Sequence, residues 1–299
     1  MPIKKFKRTL KTFIQRLSGY QLQGIGHKGL ALIRDDREVF FFDQASLLLI
    51  EKQDDELSAH RRIYDYLRQQ RLKTILKRYQ INTVLDVGAN EGQFVEELRQ
   101  MGYEGKIISF EPVSTVFAQL AQNAQNDPNW DVYNLALGEE NTEKSIYISD
   151  YTVFSSFLKT NTWCENNLNH DALAKEEELV VVRRLDDLLP EIIQNLDQAR
   201  IYLKLDTQGY DLKVFSGTER LRKIIFALQS EMSILPIYEG LPHVTESIAV
   251  YEKAGFEIAG MYPISLDNAT LRMIEFDCLM VNAKNSINAS CEYDILTNY

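Results

Sequence analysis

The chain has 299 residues, of which 45% are hydrophobic and 25% charged, and this balance excludes an intrinsically disordered chain because it allows a large buried core. Its formal net charge of −10 argues against binding to nucleic acid, since neutralising phosphates requires clustered Lys and Arg side chains. A small molecule, a sugar or a glycan is therefore the partner that we expect.

The chain begins with a basic segment. Residues 1–17 contain Lys and Arg but no acidic residue, and their apolar residues recur at helical spacing, which predicts a basic amphipathic helix. The preferred interpretation is that the apolar side of this helix packs on the protein itself. The alternative is peripheral contact with an anionic membrane at its inner face.

Two elements are predicted before a regular alternation begins. Residues 31–42 form two apolar runs around a charged centre, which predicts a hairpin, and residues from Glu56 to about Tyr79 predict a long helix. From Thr83 to about Ala283 the pattern alternates between strand, turn and helix, which is typical of a parallel sheet covered by helices on both faces. We expect strands at residues 83–87, 106–110, 131–137, 201–206, 226–232, 256–261 and 276–282.

These patterns predict one α/β catalytic domain over residues 71–283, preceded by a lead-in of residues 1–70 and followed by a polar tail of residues 284–299. The connection between the third and fourth strands is longer than a usual link between a strand and a helix. We interpret residues 141–182 within it as a lid or wall for the substrate.

The cysteine pattern and hydropathy indicate a compartment. Cys164, Cys278 and Cys291 are far apart and form no CxxC pair, so we expect a reducing environment and no zinc site. No apolar stretch reaches the roughly 18 residues of a membrane span. Basic residues interrupt the N-terminus where a signal peptide would be apolar. The expected location is cytoplasmic.

The strongest local signal is the segment Val84–Gly92, where an apolar strand leads into a turn and then a helix. We expect Gly88 and Gly92 to let a ligand approach the backbone beside the first free N–H groups of the helix. A dinucleotide would require G-x-G-x-x-G, but Asn90 occupies the position of the second glycine. The turn therefore favours a ligand without a pyrophosphate, such as the methionine end of S-adenosylmethionine.

Later segments carry further candidate contacts for a nucleoside. Pro112 holds Glu111 extended at the end of the second strand, where a carboxylate can accept both hydroxyls of a ribose. Asn134 in the third strand would flank the adenine, with ordinary strand-end polarity as the alternative. Ser156, in the insertion, could donate a hydrogen bond to cofactor or substrate, although such serines also occur as turn residues.

The fourth strand delivers Asp206 to the crevice where ligands bind in open α/β sheets. Methyl transfer from a sulfonium depends on aligning the nucleophile, the methyl group and the sulfur, with help from a base when the nucleophile is a hydroxyl. Asp206 is the first candidate for this base, followed by Glu231, His243 and His170, and for each histidine a surface role is the alternative. Carboxylates at adjacent strand ends would also suit a Mg²⁺ ion, although no ligand spacing establishes one.

In order and spacing, the segments VLDVGANEGQF, ISFEP, RRLDDLL, LKLDTQGYDLKVFSG and AGFEIAG resemble the FkbM family of methyltransferases, over about residues 70–283. The resemblance implies a Rossmann-like class I methyltransferase fold, with a seven-stranded, mostly parallel sheet whose last strand is antiparallel. It also implies S-adenosylmethionine as the cofactor and O-methylation of a sugar, glycan or secondary metabolite. By position, the cofactor turn then contains Asp86, Gly88, Asn90 and Gly92, the ribose contact is Glu111, and the reaction centre is lined by residues 206–209.

Two alternatives of a different class stay open. An NAD-dependent oxidoreductase could use a related sheet, but the missing G-x-G-x-x-G counts against it. A non-catalytic scaffold for glycan assembly would reach a membrane surface through residues 1–17, but the joint presence of Asp86, Gly88, Glu111 and Asp206 favours a working site. Glu275 stands where the family often has another residue, so the resemblance carries no substrate contact over to it.

Overall fold

The computed structural model describes residues 20–25, 29–34, 37–41, 47–51, 56–149, 152, 155–167, 174–267 and 269–285. The helix predicted for residues 1–17, the candidate base His170 and the tail after residue 285 lie outside the described residues. The chain divides into two compact units, Met1–Tyr66 and Leu67–Tyr299. The boundary that the sequence suggests after residue 70 stays a prediction.

The first unit contains two antiparallel strand pairs. β1 (Tyr20–Ile25) pairs with β2 (Gly29–Arg34), and β3 (Arg37–Phe41) pairs with β4 (Leu47–Glu51). The hairpin predicted over residues 31–42 is therefore wrong, because its two apolar runs are β2 and β3 and each pairs with a different strand. The link between β2 and β3 is Asp35-Asp36, which lacks the glycine that two-residue hairpin turns favour.

The second unit is built on a large twisted sheet. Within the described residues, seven strands follow the order β13-β14-β12-β11-β5-β6-β7. Their bounds are β5 Thr83–Val87, β6 Lys106–Phe110, β7 Trp130–Tyr133, β11 Ile201–Leu205, β12 Ile225–Ser233, β13 Phe256–Leu266 and β14 Met273–Asn282. β14 is antiparallel to both of its neighbours, whereas β7, β6, β5, β11 and β12 run parallel. The predicted seven-stranded, mostly parallel sheet with an antiparallel last strand is confirmed.

Helices cover both faces of this sheet. Their bounds are α1 Glu56–Arg78, α2 Gln93–Gln100, α3 Ser114–Ala124, α4 Thr162–Asn167, α5 Leu185–Ile192, α6 Asp211–Ser216 and α7 Val244–Lys253, with short 3-10 turns at Leu196–Gln198 and Ala283–Asn285. Successive side chains of a strand point to opposite faces. Val84 accordingly packs with the end of α1, α2 and α3, while Leu85 packs with α5, α6 and Tyr251 of α7. This is the Rossmann-like class I arrangement.

The third predicted strand, residues 131–137, is two separate strands. β7 ends at Tyr133, and β8 (Ala136–Leu137) belongs to a second sheet with β9 (Thr142–Ser149) and β10 (Ala174–Arg183). The chain turns at Asn134 because its side-chain amide donates to the carbonyls of Glu111 and Pro112, at 2.9 and 3.0 Å. β9 and β10 lie in the insertion, where we predicted no strand.

Among the helices in the described part of the chain, none combines the length and apolar character needed to cross a membrane.

Candidate active site

The carboxyl ends of β5, β6 and β11 bring three predicted site residues to one edge of the sheet. The Gly88 N–H donates to the carbonyl of Phe110 at 3.1 Å, and the Asp206 N–H donates to the carbonyl of Val87 at 3.1 Å. Glu111 follows β6 directly and accepts a hydrogen bond from the N–H of Asn90 at 2.9 Å. The turn after β5 therefore contacts both the Glu111 side chain and the start of the Asp206 segment.

The two glycines of this turn are required by its backbone conformation and by close packing. Gly88 and Gly92 have φ angles of +75° and +98°, a backbone conformation that favours glycine. A Cβ on Gly88 would lie 1.9 Å from the Asp206 carbonyl oxygen, and one on Gly92 would lie 2.5 Å from the Trp130 ring. The space where each Cβ would lie is thus filled by the protein's own atoms, and the approach of a ligand to the backbone of this turn stays a prediction.

Glu111 is buried, with 6% of its surface exposed, and its carboxylate accepts the N–H groups of Asn90 and Val113, both at 2.9 Å. Burial raises the pKa of Glu111 to about 7, although both backbone N–H groups act in the opposite direction. An ionised carboxylate offers about four lone-pair sites, so two can still accept the two hydroxyls of a ribose. The hydrogen-bond acceptors at this strand end therefore fit the hydroxyls of a nucleoside.

A buried ion pair lies beneath the turn. Lys204 of β11 lies opposite Asp86 of β5, and its Nζ is 3.1 Å from Asp86 Oδ1 and 3.2 Å from Asp206 Oδ2. The same nitrogen is 3.4 Å from the Gly88 carbonyl oxygen. Sequence reasoning missed Lys204, although a lysine in the middle of a fully buried apolar strand is a signal, since lysines are seldom buried unless paired.

Asp86 also has a partner on its other side. Its Oδ2 accepts the Ser109 hydroxyl at 3.2 Å, and Ser109 in turn accepts the Trp130 indole N–H at 2.9 Å. All of these groups lie in the interior. Asp86 therefore lies beneath the turn, where Lys204 and Ser109 hold its carboxylate.

Asp206 and Glu231 form a carboxyl pair at the ends of β11 and β12. The Gln208 side-chain amide joins them, donating to Glu231 Oε2 at 2.7 Å and to Asp206 Oδ1 at 3.3 Å. Gln208 is itself held by the Tyr238 hydroxyl, which donates to its Oε1 at 2.8 Å. The family resemblance places Gln208 in the segment that lines the reaction centre, but the sequence gives neither Gln208 nor Tyr238 this role, because their contact joins segments distant in the chain.

The two carboxyls titrate differently. Burial opposes ionisation of Asp206, but the charge of Lys204 and the hydrogen bonds with Glu231, Lys204 and Gln208 together lower the pKa of Asp206 below its usual value. Burial, followed by the charge of Asp206, raises the pKa of Glu231 well above its usual value. Lys204 therefore favours the negative charge on Asp206, while burial and that charge favour a proton on Glu231.

Glu275 of β14 lies near this pair. Its carboxylate accepts the hydroxyls of Ser233 and Ser265, both at 3.2 Å, and burial raises its pKa. The negative charge of Asp206 adds to that rise. Ser233 and Ser265 thus fix the Glu275 carboxyl close to the Asp206–Glu231 pair.

Three predicted site residues have structural contacts instead. His243 is exposed and is the N-terminal cap of α7, where its Nδ1 accepts the Thr245 N–H at 3.3 Å, and in the described residues no hydrogen bond joins it to Asp206 or Glu231. Ser156 is buried and donates its hydroxyl to the Gln208 carbonyl at 2.7 Å, so that proton is not free for a cofactor. Asn134 fixes the loop after β6 through the two bonds described above.

The sequence suggests a Mg²⁺ ion at the same strand ends. In the part of the chain that the structure describes, no group of three or more His, Cys, Asp or Glu residues could hold a metal ion. The Mg²⁺ expectation therefore gains no support from these residues.

Several solved structures are similar to this chain. The chain is similar to an rRNA methylase from Streptococcus thermophilus, at 9% identity over 73% of this chain and 95% of that chain, with a TM-score of 0.40. It is also similar to magnesium protoporphyrin IX methyltransferase from Synechocystis PCC 6803, solved with bound SAM, at 10% identity over 77% of this chain and 86% of that chain, with a TM-score of 0.40. A search of curated proteins gave no match.

The family assignment depends on a domain match. The methyltransferase FkbM domain matches residues 86–258, which is more than half of the chain and includes the turn, Glu111, Asp206 and Glu231. The strand order and the antiparallel last strand agree with this match. The chain therefore belongs to the FkbM methyltransferase domain family, and it is an S-adenosylmethionine-dependent methyltransferase.

Proposed function

We propose that this enzyme methylates a hydroxyl group of a small acceptor, namely a sugar, a glycan unit or a secondary metabolite. The observation that carries the proposal is the Asp206–Glu231 pair, in which the Lys204 ammonium lies 3.2 Å from Asp206 and favours its ionised form, while burial favours a proton on Glu231. A hydroxyl is a weak nucleophile until a base accepts its proton. An ionised carboxylate at the carboxyl edge of the sheet, next to the cofactor turn, supplies such a base.

The turn and Glu111 form the cofactor side of the proposed site. Two lone pairs of the Glu111 carboxylate stay available for the ribose hydroxyls, and the backbone of residues 88–92 lies beside them. When bound, S-adenosylmethionine supplies an electrophilic methyl group on a positively charged sulfur. The negative charge at Asp206 and on the neighbouring carboxyls also favours a cation at this edge.

The proposed reaction is a proton transfer coupled to an in-line displacement. Asp206 would take the proton of the acceptor hydroxyl, and the oxygen would accept the methyl group that bound S-adenosylmethionine would supply, leaving S-adenosylhomocysteine as the second product. Gln208 and Tyr238 hold the carboxyl pair in place, so the base is aligned before the acceptor arrives. Residues 141–182 are the proposed wall on the acceptor side, and a cytoplasmic enzyme acting on a small acceptor is part of the same proposal.

The alternatives receive less support. An NAD-dependent oxidoreductase would need room for a pyrophosphate at a G-x-G-x-x-G turn, and this turn has Asn90 at the second glycine position. A scaffold without activity would not require Lys204 to be buried between two carboxylates, since buried charges cost stability unless they are paired.

Cofactor binding is tested by calorimetry with the demethylated product, S-adenosylhomocysteine. We expect it to bind, and NAD not to bind. Glu111→Gln should weaken binding by roughly 10-fold or more, since hydrogen bonds to a charged group contribute about 1.5–3 kcal/mol.

Because ribose hydroxyls donate best to the ionised carboxylate, affinity should rise as the pH passes upward through about 7, the pKa of Glu111, and this rise should vanish in Glu111→Gln. Binding of NAD alone would reject the assignment of the site.

The acceptor is tested with S-adenosylmethionine carrying a deuterated methyl group. The purified enzyme is incubated with a panel of sugars, glycans and hydroxylated metabolites, and products are sought by mass spectrometry. Fragmentation must place the label on oxygen, and Asp206→Asn must abolish the product. Label on nitrogen or carbon would reject O-methylation while leaving methyl transfer intact.

A further inference from the structure

Lys204 is a buried lysine that contacts both sides of the site. Its side chain is 8% exposed, whereas that of Asp206 is 39% exposed, so the carboxylate faces the crevice and the ammonium lies behind it. The ammonium is within 3.4 Å of Asp86, Asp206 and the Gly88 carbonyl together. It also lies 5.4 Å from the centre of the Phe94 ring. These contacts connect β5, the cofactor turn and the proposed base through one side chain.

The charges around this lysine are strongly acidic. Carboxyl groups face it or Asp206 from four strands and one helix: Asp86 from β5, Glu111 from β6, Glu231 from β12, Glu275 and Asp277 from β14, and Asp211 from α6. The nearby cation Arg68 is engaged elsewhere, at 2.6 Å from Glu97 and 3.5 Å from Asp277. In the described residues, Lys204 is therefore the cation in contact with Asp206.

A carboxylate in such surroundings would ordinarily take up a proton. Burial and the carboxyls of Asp211, Glu275 and Asp277 disfavour its ionised form, whereas the hydrogen bond with Glu231 favours it. One ammonium at 3.2 Å counteracts them, and it acts on Asp206 directly but not on Glu231, with which no ion pair is formed in the described residues. The asymmetry between the two carboxyls therefore has a geometric origin.

We propose that Lys204 is a positioning residue of this enzyme: it holds the Asp206 carboxylate ionised and joined to the cofactor turn, so that the proton of the pair stays on Glu231. This inference rests on the proposed function, in which Asp206 is the base. It assigns the choice between the two carboxyls to a side chain that touches neither cofactor nor acceptor. Without Lys204, the proton would be shared between Asp206 and Glu231, and the fraction of enzyme with a free base at Asp206 would fall.

The experiment measures the titration of Asp206 by carbon-13 NMR of protein labelled at the aspartate side-chain carboxyl, with the signal assigned by its loss in Asp206→Asn. Lys204→Met removes the charge and keeps much of the side-chain volume. We expect it to raise the lower apparent pKa of the pair by about 1–3 pH units, the usual effect of an opposite charge within 4–6 Å. Lys213→Met makes the same change in net charge at an exposed lysine of α6 and should leave the pKa unchanged.

A second variant has the opposite expected sign. Asp86→Asn removes the other partner of the ammonium, so the full charge of Lys204 acts on Asp206 and the pKa should fall further. The fall in Asp86→Asn includes the lost repulsion from Asp86 itself, so it supports the inference only together with a rise in the lysine variant. Lys204→Gln, which also removes the charge, keeps the test valid if Lys204→Met does not fold. An Asp206 pKa that does not rise in the lysine variant would overturn the inference. Because the titration needs no acceptor, a failed search for O-methylated products would reject the proposed function without changing this result.

Discussion

At the scale of single residues, Gly88 has the tightest constraint in the site. A Cβ there would lie 1.9 Å from a backbone oxygen, which has no flexible end that could move away. We expect Gly88→Ala to cost roughly 1–2 kcal/mol for the left-handed backbone and about 1–3 kcal/mol more for the collision. Urea unfolding measured by tryptophan fluorescence gives the free energy directly, since Trp130 and Trp163 both lie in the second unit.

Gly102 provides the matched control for this prediction. Its φ angle is +84°, but a Cβ there would meet nothing within 4 Å. Gly102→Ala should therefore lose only the backbone contribution. If the two variants lost equal stability, the contact between Gly88 and the Asp206 carbonyl would not be the constraint that the geometry indicates.

The candidate site shows which single residues a sequence can reveal. Gly88, Glu111 and Asp206 were predictable because each directly follows an apolar strand, and parallel strands end at one edge of a sheet. The partner of Ser156 could not be predicted, since it is a carbonyl 52 positions away in the chain. Gln208 gave no signal, because a surface glutamine and a glutamine clamped between two carboxyls look alike in sequence.

At the scale of elements, the insertion is attached to the Asp206 segment by one buried hydroxyl. Ser156 donates to the Gln208 carbonyl at 2.7 Å and accepts the Leu158 N–H at 3.0 Å. Ser156→Ala would leave both backbone groups without this partner, so we expect a loss of about 1–3 kcal/mol. Denaturant unfolding of the variant measures that loss.

The neighbouring serine is the control for the insertion. The Ser155 hydroxyl oxygen is buried and finds no hydrogen-bond partner among the described residues. Ser155→Ala should therefore change stability by no more than about 0.5 kcal/mol. A loss at Ser155 as large as that at Ser156 would mean that burial, and not the bond to Gln208, attaches the insertion.

An element could be predicted from the sequence when the local pattern alone decides where it begins, ends and pairs. β5 and β6 have the predicted bounds, because a short apolar run between polar turns has few alternatives. The pairing of β2 with β1 was not predictable from the run alone, since pairing depends on turn geometry and on partners outside the run. The break after Tyr133 depends on two hydrogen bonds from Asn134 to another strand end, which no local pattern contains.

At the scale of the whole molecule, buried carboxyls set the response of stability to pH. Burial raises the pKa of Glu111 to about 7 and that of Asp277 to about 6, and it also raises the pKa values of Glu231, Glu275 and Asp211. Between the ordinary and the raised pKa, the folded protein binds more protons than the unfolded chain. Stability must then fall as the pH rises through this window.

A second group of carboxyls acts in the opposite direction at lower pH. Hydrogen bonds from Thr270 and the Ala269 N–H lower the pKa of Asp267 to about 2, and other contacts lower the pKa values of Asp127 and Asp187. These groups contribute stability above their ordinary pKa of 3.8 and lose it as the pH falls towards 2. The two groups together place the stability maximum on the acidic side of neutrality, above the ordinary aspartate pKa.

We therefore expect the second unit to be more stable at about pH 5 than at about pH 8, by on the order of a few kcal/mol, since each pKa unit corresponds to about 1.4 kcal/mol. The formal charge of −10 acts in the same direction, because self-repulsion grows as the remaining carboxyls ionise. Glu111→Gln removes one buried ionisation and should flatten the slope between pH 5 and about 7. Equal stability at both pH values in the parent protein would show that these carboxyls stay hydrated, and the protonated state proposed for Glu231 would lose its physical basis.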